Sequence, residues 1–199
     1  MWIFWVIMSF LSGSIPFSVL VVSRFLGRDV RNYGDGNPGT VNAFKAGGLR
    51  YGLAVGMLDF LKGALPIGIA AQFLGWRDFR LAAVAISCLL GSAYSPWLRF
   101  RGGKSIACTF GVWTGVLMYE APLFLGAFLS LYVLLLRTDA WSAVLGFFSF
   151  LLYLWFRGSE ASLLMAGAFN ALILVLKHAA DLAGGPRPRP WLARLAGQR

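Results

Sequence analysis

Long apolar blocks separated by short polar stretches make up the chain. A helix that crosses a bilayer needs about 20 consecutive, mostly apolar residues. Residues 2–26 form the first such block and read as span 1. The block has no basic leading segment and runs through Phe10, Ile15 and Val22 before Arg24 and Arg28. It is therefore expected to remain as a span and not to be removed as a signal peptide. Further spans are expected at 50–74, 81–97, 140–156 and 161–177. The block 105–136 is too long for one helix and breaks at Glu120-Ala-Pro122, which predicts two short spans, 105–118 and 121–136. The expected fold class is an all-α polytopic membrane protein with about seven transmembrane helices.

Two polar stretches depart from this economy of loops. Residues 27–49 carry six glycines with Arg28, Asp29, Arg31, Asp35 and Lys45. Loops of this length in compact folds are usually functional or disordered. The second stretch is Arg99-Phe-Arg-Gly-Gly-Lys104. Residues 1–181 are read as one membrane domain. Residues 182–199, rich in Pro and Arg, are read as a cytoplasmic, partly disordered tail.

Composition agrees with the pattern. The chain is 58% hydrophobic and 13% charged, with mean hydropathy +0.70, against about 25% charged in a soluble domain. An ordinary soluble enzyme, a disordered chain and a disulfide-rich mini-protein are excluded. The net charge of +10 sits in loops. It therefore points to topology, anionic headgroups or an anionic substrate, and not to nucleic acid. Fourteen of the 18 Lys and Arg lie in or beside the loops 1–2, 3–4 and 5–6 and the tail; three, Arg77, Arg80 and Arg157, lie on the other side. Lys62 is intramembrane. The positive-inside rule then places the N-terminus outside and the C-terminus inside, with both glycine-rich loops on the cytoplasmic face. Cys88 and Cys108 lie within apolar segments and His178 is the one histidine, so no metal or haem centre is expected.

Several groups can carry chemistry. In Gly34-Asp-Gly-Asn-Pro-Gly39-Thr-Val-Asn42, glycines and Asn permit an anion nest of backbone N–H groups, with Thr40, Asn42 and Lys45 as side-chain donors. A plain turn-rich connection is the other reading. Gly102, Gly103, Lys104 and Ser105 open a helix whose dipole favours an anion; a basic membrane anchor is the other reading. Asp59 and Lys62 share a helix face inside the membrane, as a structural or a functional pair. Such a pair can hold the first loop in place. His178 has Asp181 one turn on, placed to orient its imidazole. Ser14 and Gly13 permit close helix approach beside the kink expected at Pro16.

Taken in order, these residues resemble a known family. Gly13-Ser-Ile-Pro-Phe17, Gly36-Asn37-x-Gly39-x-x-Asn42, Leu58-Asp59-x-x-Lys62-Gly63-Ala64, Phe100-x-Gly102-Gly103-Lys104 and His178 are similar to the motifs of the bacterial acyl-phosphate-dependent glycerol-3-phosphate acyltransferases, the PlsY family. The resemblance covers about residues 10–181. It implies a seven-helix enzyme of the bacterial inner membrane with a cytoplasmic active site. It implies transfer of an acyl chain from acyl phosphate to the 1-hydroxyl of sn-glycerol 3-phosphate, giving lysophosphatidic acid and phosphate, without metal or other cofactor. A monomer among membrane lipids is expected. The implied phosphate ligands are Lys104 and Lys45 with backbone at Gly36, Asn37, Gly39, Gly102 and Gly103, joined by Ser105. Thr40 and Asn42 would orient the acceptor. His178 would act on the hydroxyl or position phosphate, steered by Asp181, while Ser14, Asp59 and Lys62 support the site.

Departures from the family pattern cluster at the site. The family usually has serine at Asp35, Ala-Thr at Thr40-Val41, arginine at Lys45, histidine at Ser92, glycine at Ser105 and asparagine at Asp181. Asp35 can act as a base for the acceptor hydroxyl, or pair with Lys45 or Lys104 and silence the site. A divergent active enzyme, a paralogue with another acceptor or no activity, and a small anion transporter remain distinct readings. The lack of an internal repeat and the scarcity of mid-membrane polar groups argue against transport.

Overall fold

The computed structural model describes residues 1–195. Its helices are α1 (Trp2–Ser14), α2 (Phe17–Leu26), α3 (Thr40–Gly68), α4 (Phe79–Ala93), α5 (Ile106–Leu117), α6 (Glu120–Leu135), α7 (Asp139–Phe156), α8 (Ala161–Leu182) and the short α9 (Pro190–Leu195). Every apolar block is helical. Thr40–Phe73, Phe79–Leu98, α7 and α8 are each long and apolar enough to cross a membrane. The pair α1 and α2 qualifies together, bent by 41° at its break, while α5 and α6 are shorter apolar helices.

The break falls at Pro16, whose missing N–H interrupts the helical ladder. Carbonyls beside the break find partners across the bundle. Lys62 Nζ donates to the Ile15 carbonyl at 3.1 Å, and Ser95 Oγ donates to the Ser14 carbonyl at 2.6 Å. Lys62 Nζ also lies 2.7 Å from Asp59 Oδ1, with both side chains almost fully buried. The pair is thus used structurally: it fixes the α1–α2 break, and not the first loop as expected.

Small residues set how closely the helices pack. A Cβ on Gly13 of α1 would strike the Cys88 carbonyl of α4, and one on Gly91 of α4 would strike the Phe10 carbonyl of α1. The same reciprocity joins α3 to α5: a Cβ on Gly111 would strike the Phe60 carbonyl, and one on Gly63 would lie 2.7 Å from the Cys108 carbonyl. Such contacts drive packing where lipid removes the hydrophobic incentive. Asn170 of α8 ties in α5, accepting from Trp113 Nε1 at 3.0 Å and donating to Thr109 Oγ1 at 3.1 Å.

Two expectations are corrected. Helix α3 starts at Thr40, ten residues before span 2 was expected, so the second half of the long loop is helix. Only Gly48, with φ 76° and ψ −167°, kinks it, a conformation natural for glycine. The tail is also more ordered than its composition suggests. Arg137 N–H donates to the Arg187 carbonyl and Arg189 N–H to the Leu135 carbonyl, both at 2.8 Å. Leu136 and Pro188 thereby form an antiparallel bridge. Residues 196–199 of that tail lie outside the described residues.

Candidate active site

The two glycine-rich loops, the break after α1, the start of α5 and the end of α8 meet at a single cavity of about 1020 Å³. Its lining brings together Asp35, Asn37, Gly39, Thr40, Asn42 and Lys45 from the first loop and α3. It adds Gly102, Gly103, Lys104 and Ser105 from the second loop, His178 and Asp181 from α8, and Ser14, Asp59 and Lys62 below them. Gly36 alone of the expected site residues does not line it. Ile15, Phe60, Ile106 and Phe110 supply an apolar wall.

Lys104 is the electrostatic centre. Its Nζ donates to Asp35 Oδ2 at 2.8 Å and to Asp181 Oδ2 at 2.6 Å. Three residues far apart in sequence thus form one clamp. Burial acts to lower the ammonium's pKa, but the hydrogen bonds to Asp181 and Asp35 outweigh it and hold the pKa above the ordinary lysine value. Burial likewise acts to raise Asp35. Hydrogen bonds from Lys104, the Asn37 N–H and the Asn42 amide prevail and bring its carboxyl down to about 2. Asp35 is therefore an ionised clamp and a weak base at neutral pH.

The first loop is built differently from a free nest. Gly36 N–H is donated to the Tyr33 carbonyl, Gly39 N–H to the Asn37 carbonyl and Asn37 N–H to Asp35 Oδ1. Asn42 Nδ2 also closes the loop, on Asp35 Oδ1 at 2.8 Å and the Asn37 carbonyl at 2.9 Å. The backbone donors expected at Gly36, Asn37 and Gly39 are thus already used. The free donors lie next door. The first-turn N–H groups of α3 at Thr40, Val41 and Asn42 have no intrahelical partner, and those three residues line the cavity. Among the described residues the Gly102 and Gly103 N–H groups are also unbonded.

Gly102 and Gly103 have a further reason to lack side chains. A Cβ on Gly102 would strike the Ser92 carbonyl, and one on Gly103 would lie 2.9 Å from the Pro38 carbonyl. These glycines let the two loops touch each other and α4. Lys177 secures the arrangement, donating to the Ala93 carbonyl at 3.0 Å and the Gly102 carbonyl at 2.8 Å. Sequence reasoning did not single out Lys177. Arg137 and Arg187 also line the cavity and were not singled out. Their place among the Lys and Arg concentrated in alternate loops and the tail was the available signal.

His178 is buried, 2% exposed, at the cavity edge. Its Nδ1 lies 2.8 Å from the Leu174 carbonyl. A carbonyl only accepts, so Nδ1 carries the hydrogen and Nε2 holds the lone pair of the neutral ring. The expected steering by Asp181 is corrected, because that carboxylate is engaged with Lys104 and the Leu174 carbonyl sets the imidazole.

A sequence profile described as glycerol-3-phosphate acyltransferase matches residues 3–184. The chain belongs to the glycerol-3-phosphate acyltransferase family. It is 36% identical to glycerol-3-phosphate acyltransferase 1 of Thermotoga maritima, over 90% of this chain and 95% of that one. It is 32% identical to the glycerol-3-phosphate acyltransferase of Aquifex aeolicus, over 88% and 91%. The fold superposes on the crystal structure of PlsY (YgiH), an integral membrane glycerol 3-phosphate acyltransferase, in its glycerol 3-phosphate form. That match has TM-score 0.84 and 29% identity and covers 98% of each chain. The lysophosphatidic acid form matches with TM-score 0.79 and 27% identity over 100% of this chain and 93% of that one. Against the acyltransferase motifs, four of this chain's departures, Asp35, Ser92, Ser105 and Asp181, are paired in space. Asp35 and Asp181 meet on Lys104. Ser105 Oγ donates to Ser92 Oγ at 3.0 Å. Ser105 has φ 60°, which explains why glycine suits that position.

Proposed function

We propose that this protein transfers an acyl chain from acyl phosphate to the 1-hydroxyl of sn-glycerol 3-phosphate, releasing lysophosphatidic acid and phosphate. The observation that carries the reading is the convergence of both glycine-rich loops and His178 on one cavity with an apolar wall. A reaction between a lipid-tailed phosphate and a soluble phosphate needs cations, N–H donors and a greasy flank in one place. An acyl phosphate is already activated, so positioning and charge stabilisation suffice. Free N–H groups at Gly102, Gly103 and the start of α3, with Lys45 and Lys104, hold phosphate oxygens. The hydroxyl oxygen attacks the acyl carbon, the acyl–phosphate bond breaks, and the hydroxyl proton passes to His178 Nε2 or to the departing phosphate.

The seven apolar blocks are read as seven spans, the shorter α5 and α6 included. The N-terminus lies outside and the cavity faces the cytoplasm of a bacterial inner membrane, as the Lys and Arg distribution supports. Residues 1–181 form the catalytic domain, with the tail strapped to it.

One observation favours a second reading, a silenced phosphate site. Two carboxylates already occupy Lys104, so a phosphate must displace at least one of them. Assay of purified protein in lipid with palmitoyl phosphate and glycerol 3-phosphate separates the two. Turnover that disappears in Lys104→Ala establishes the acyltransferase. Folded protein without turnover that gains activity in Asp35→Ser establishes silencing.

A further inference from the structure

The bridge between the tail and the end of α6 makes Arg137 and Arg187 cross-strand neighbours. Leu136 opposes Pro188, and Arg137 N–H bonds the Arg187 carbonyl at 2.8 Å, so residues 137 and 187 face each other directly. Opposed residues of an antiparallel pair have Cβ atoms about 5 Å apart, and like charges in that relation are destabilising. Yet the strap is firmly built. Arg189 N–H bonds the Leu135 carbonyl, and its guanidinium donates to the Val133 and Leu136 carbonyls at the end of α6. Trp141 Nε1 donates to the Leu182 carbonyl at 3.2 Å where the strap begins.

Both arginines line the same cavity as Lys104. Among the described residues neither forms an ion pair, although Asp139 also lines this end. Lys104, by contrast, already pairs with two carboxylates. Two arginines on opposed backbone positions at a cavity, without an ion pair among the described residues, suit a phosphate dianion, because each planar fork can bind two oxygens. Position within the cavity assigns the ligand. The apolar wall of Ile15, Phe60, Ile106 and Phe110 adjoins the first loop and α5, so a lipid-tailed phosphate belongs there. The two arginines are exposed at the rim, where a water-soluble phosphate enters.

We propose that Arg137 and Arg187, held opposite each other by the tail strap, form a second anion subsite that binds the phosphate of the soluble acceptor, glycerol 3-phosphate. The assignment of the acceptor rests on the acyltransferase reading; the anion subsite itself does not. The test compares wild type with the Arg137→Gln/Arg187→Gln double variant in phosphatidylcholine nanodiscs. The strap uses the backbone of these residues, so glutamine preserves it, and thermal unfolding of each variant checks this. The expected result is a KM for glycerol 3-phosphate raised at least tenfold, with KM for palmitoyl phosphate changed less than twofold. The Arg137→Lys/Arg187→Lys variant, which keeps charge but loses the forks, should fall between.

An equal rise in both KM values, or none, overturns the proposal. An effect that appears only when phosphatidylglycerol is added also overturns it, since the pair then serves lipid headgroups. If wild type shows no turnover, the acyltransferase reading fails separately. Calorimetric titration of wild type and double variant with glycerol 3-phosphate then decides the subsite. Binding weakened at least tenfold by the double substitution supports it, and equal binding or none contradicts it.

Discussion

At the residue scale the controlling feature is the pair of carboxylates on Lys104. Each offsets the charge that a phosphate would use. Asp35→Ser and Asp181→Asn should each lower KM for a phosphorylated substrate several-fold, and the double variant further, in steady-state kinetics. A loss of kcat by about 100-fold or more would instead make a carboxylate part of the chemistry. The pH dependence has a fixed sign. The Asp35 carboxyl is held at about 2, below its unfolded value of about 3.9. Its ionised clamp stabilises the fold above that unfolded value, and the contribution is lost as pH falls through about 2. Denaturation followed from pH 7 to 5 should therefore be insensitive to Asp35→Asn in slope, although not in midpoint, while below pH 5 wild type alone should lose this contribution. Ser105 offers a second check. It combines a left-handed backbone with a hydrogen bond to Ser92. Ser105→Ala keeps the strain and loses the bond, costing about 1 kcal/mol. Ser105→Gly removes both and should be near neutral by thermal unfolding in detergent.

Among the elements, the apolar blocks were legible because hydrophobic length is the membrane's own requirement. The early start of α3 was not. Thr40, Asn42 and Lys45 face a polar cavity, so their helix carries a loop's composition. The tail strap was hidden for another reason: the bond between residues 137 and 187 is long-range, while Pro and Arg suggest disorder locally. Close helix approach gives a measurable consequence. Gly111→Ala drives a methyl into the Phe60 carbonyl and should cost about 1–3 kcal/mol. Gly126→Ala, whose Cβ meets nothing nearer than 3.9 Å, should not destabilise. Lys62→Met removes the partner of a buried carboxylate and the donor to the α1 break. It should cost about 3–5 kcal/mol, read from the same unfolding experiment.

For the whole molecule, charge asymmetry and site agree. The loops holding most of the Lys and Arg are the ones that build the cavity. Cys88 and Cys108 are both buried, so introduced cysteines report orientation cleanly. Arg101→Cys should react with an impermeant maleimide only from the cytoplasmic side, and Arg157→Cys only from outside. The motif spacing picked out residues that the fold brings to one cavity, Lys104 and His178 among them. It did not reveal that Asp181 serves Lys104 and not His178, because His178 is three residues from Asp181 along the chain and Lys104 is 77, so that only the folded geometry brings Lys104 to the carboxylate. The most direct measurement is release of phosphate and lysophosphatidic acid from palmitoyl phosphate and glycerol 3-phosphate by the purified protein in lipid. Stoichiometric formation of both products by wild type, abolished in Lys104→Ala, is the expected result. Wild type that is folded yet forms neither product, under conditions where Asp35→Ser is equally inert, would contradict it.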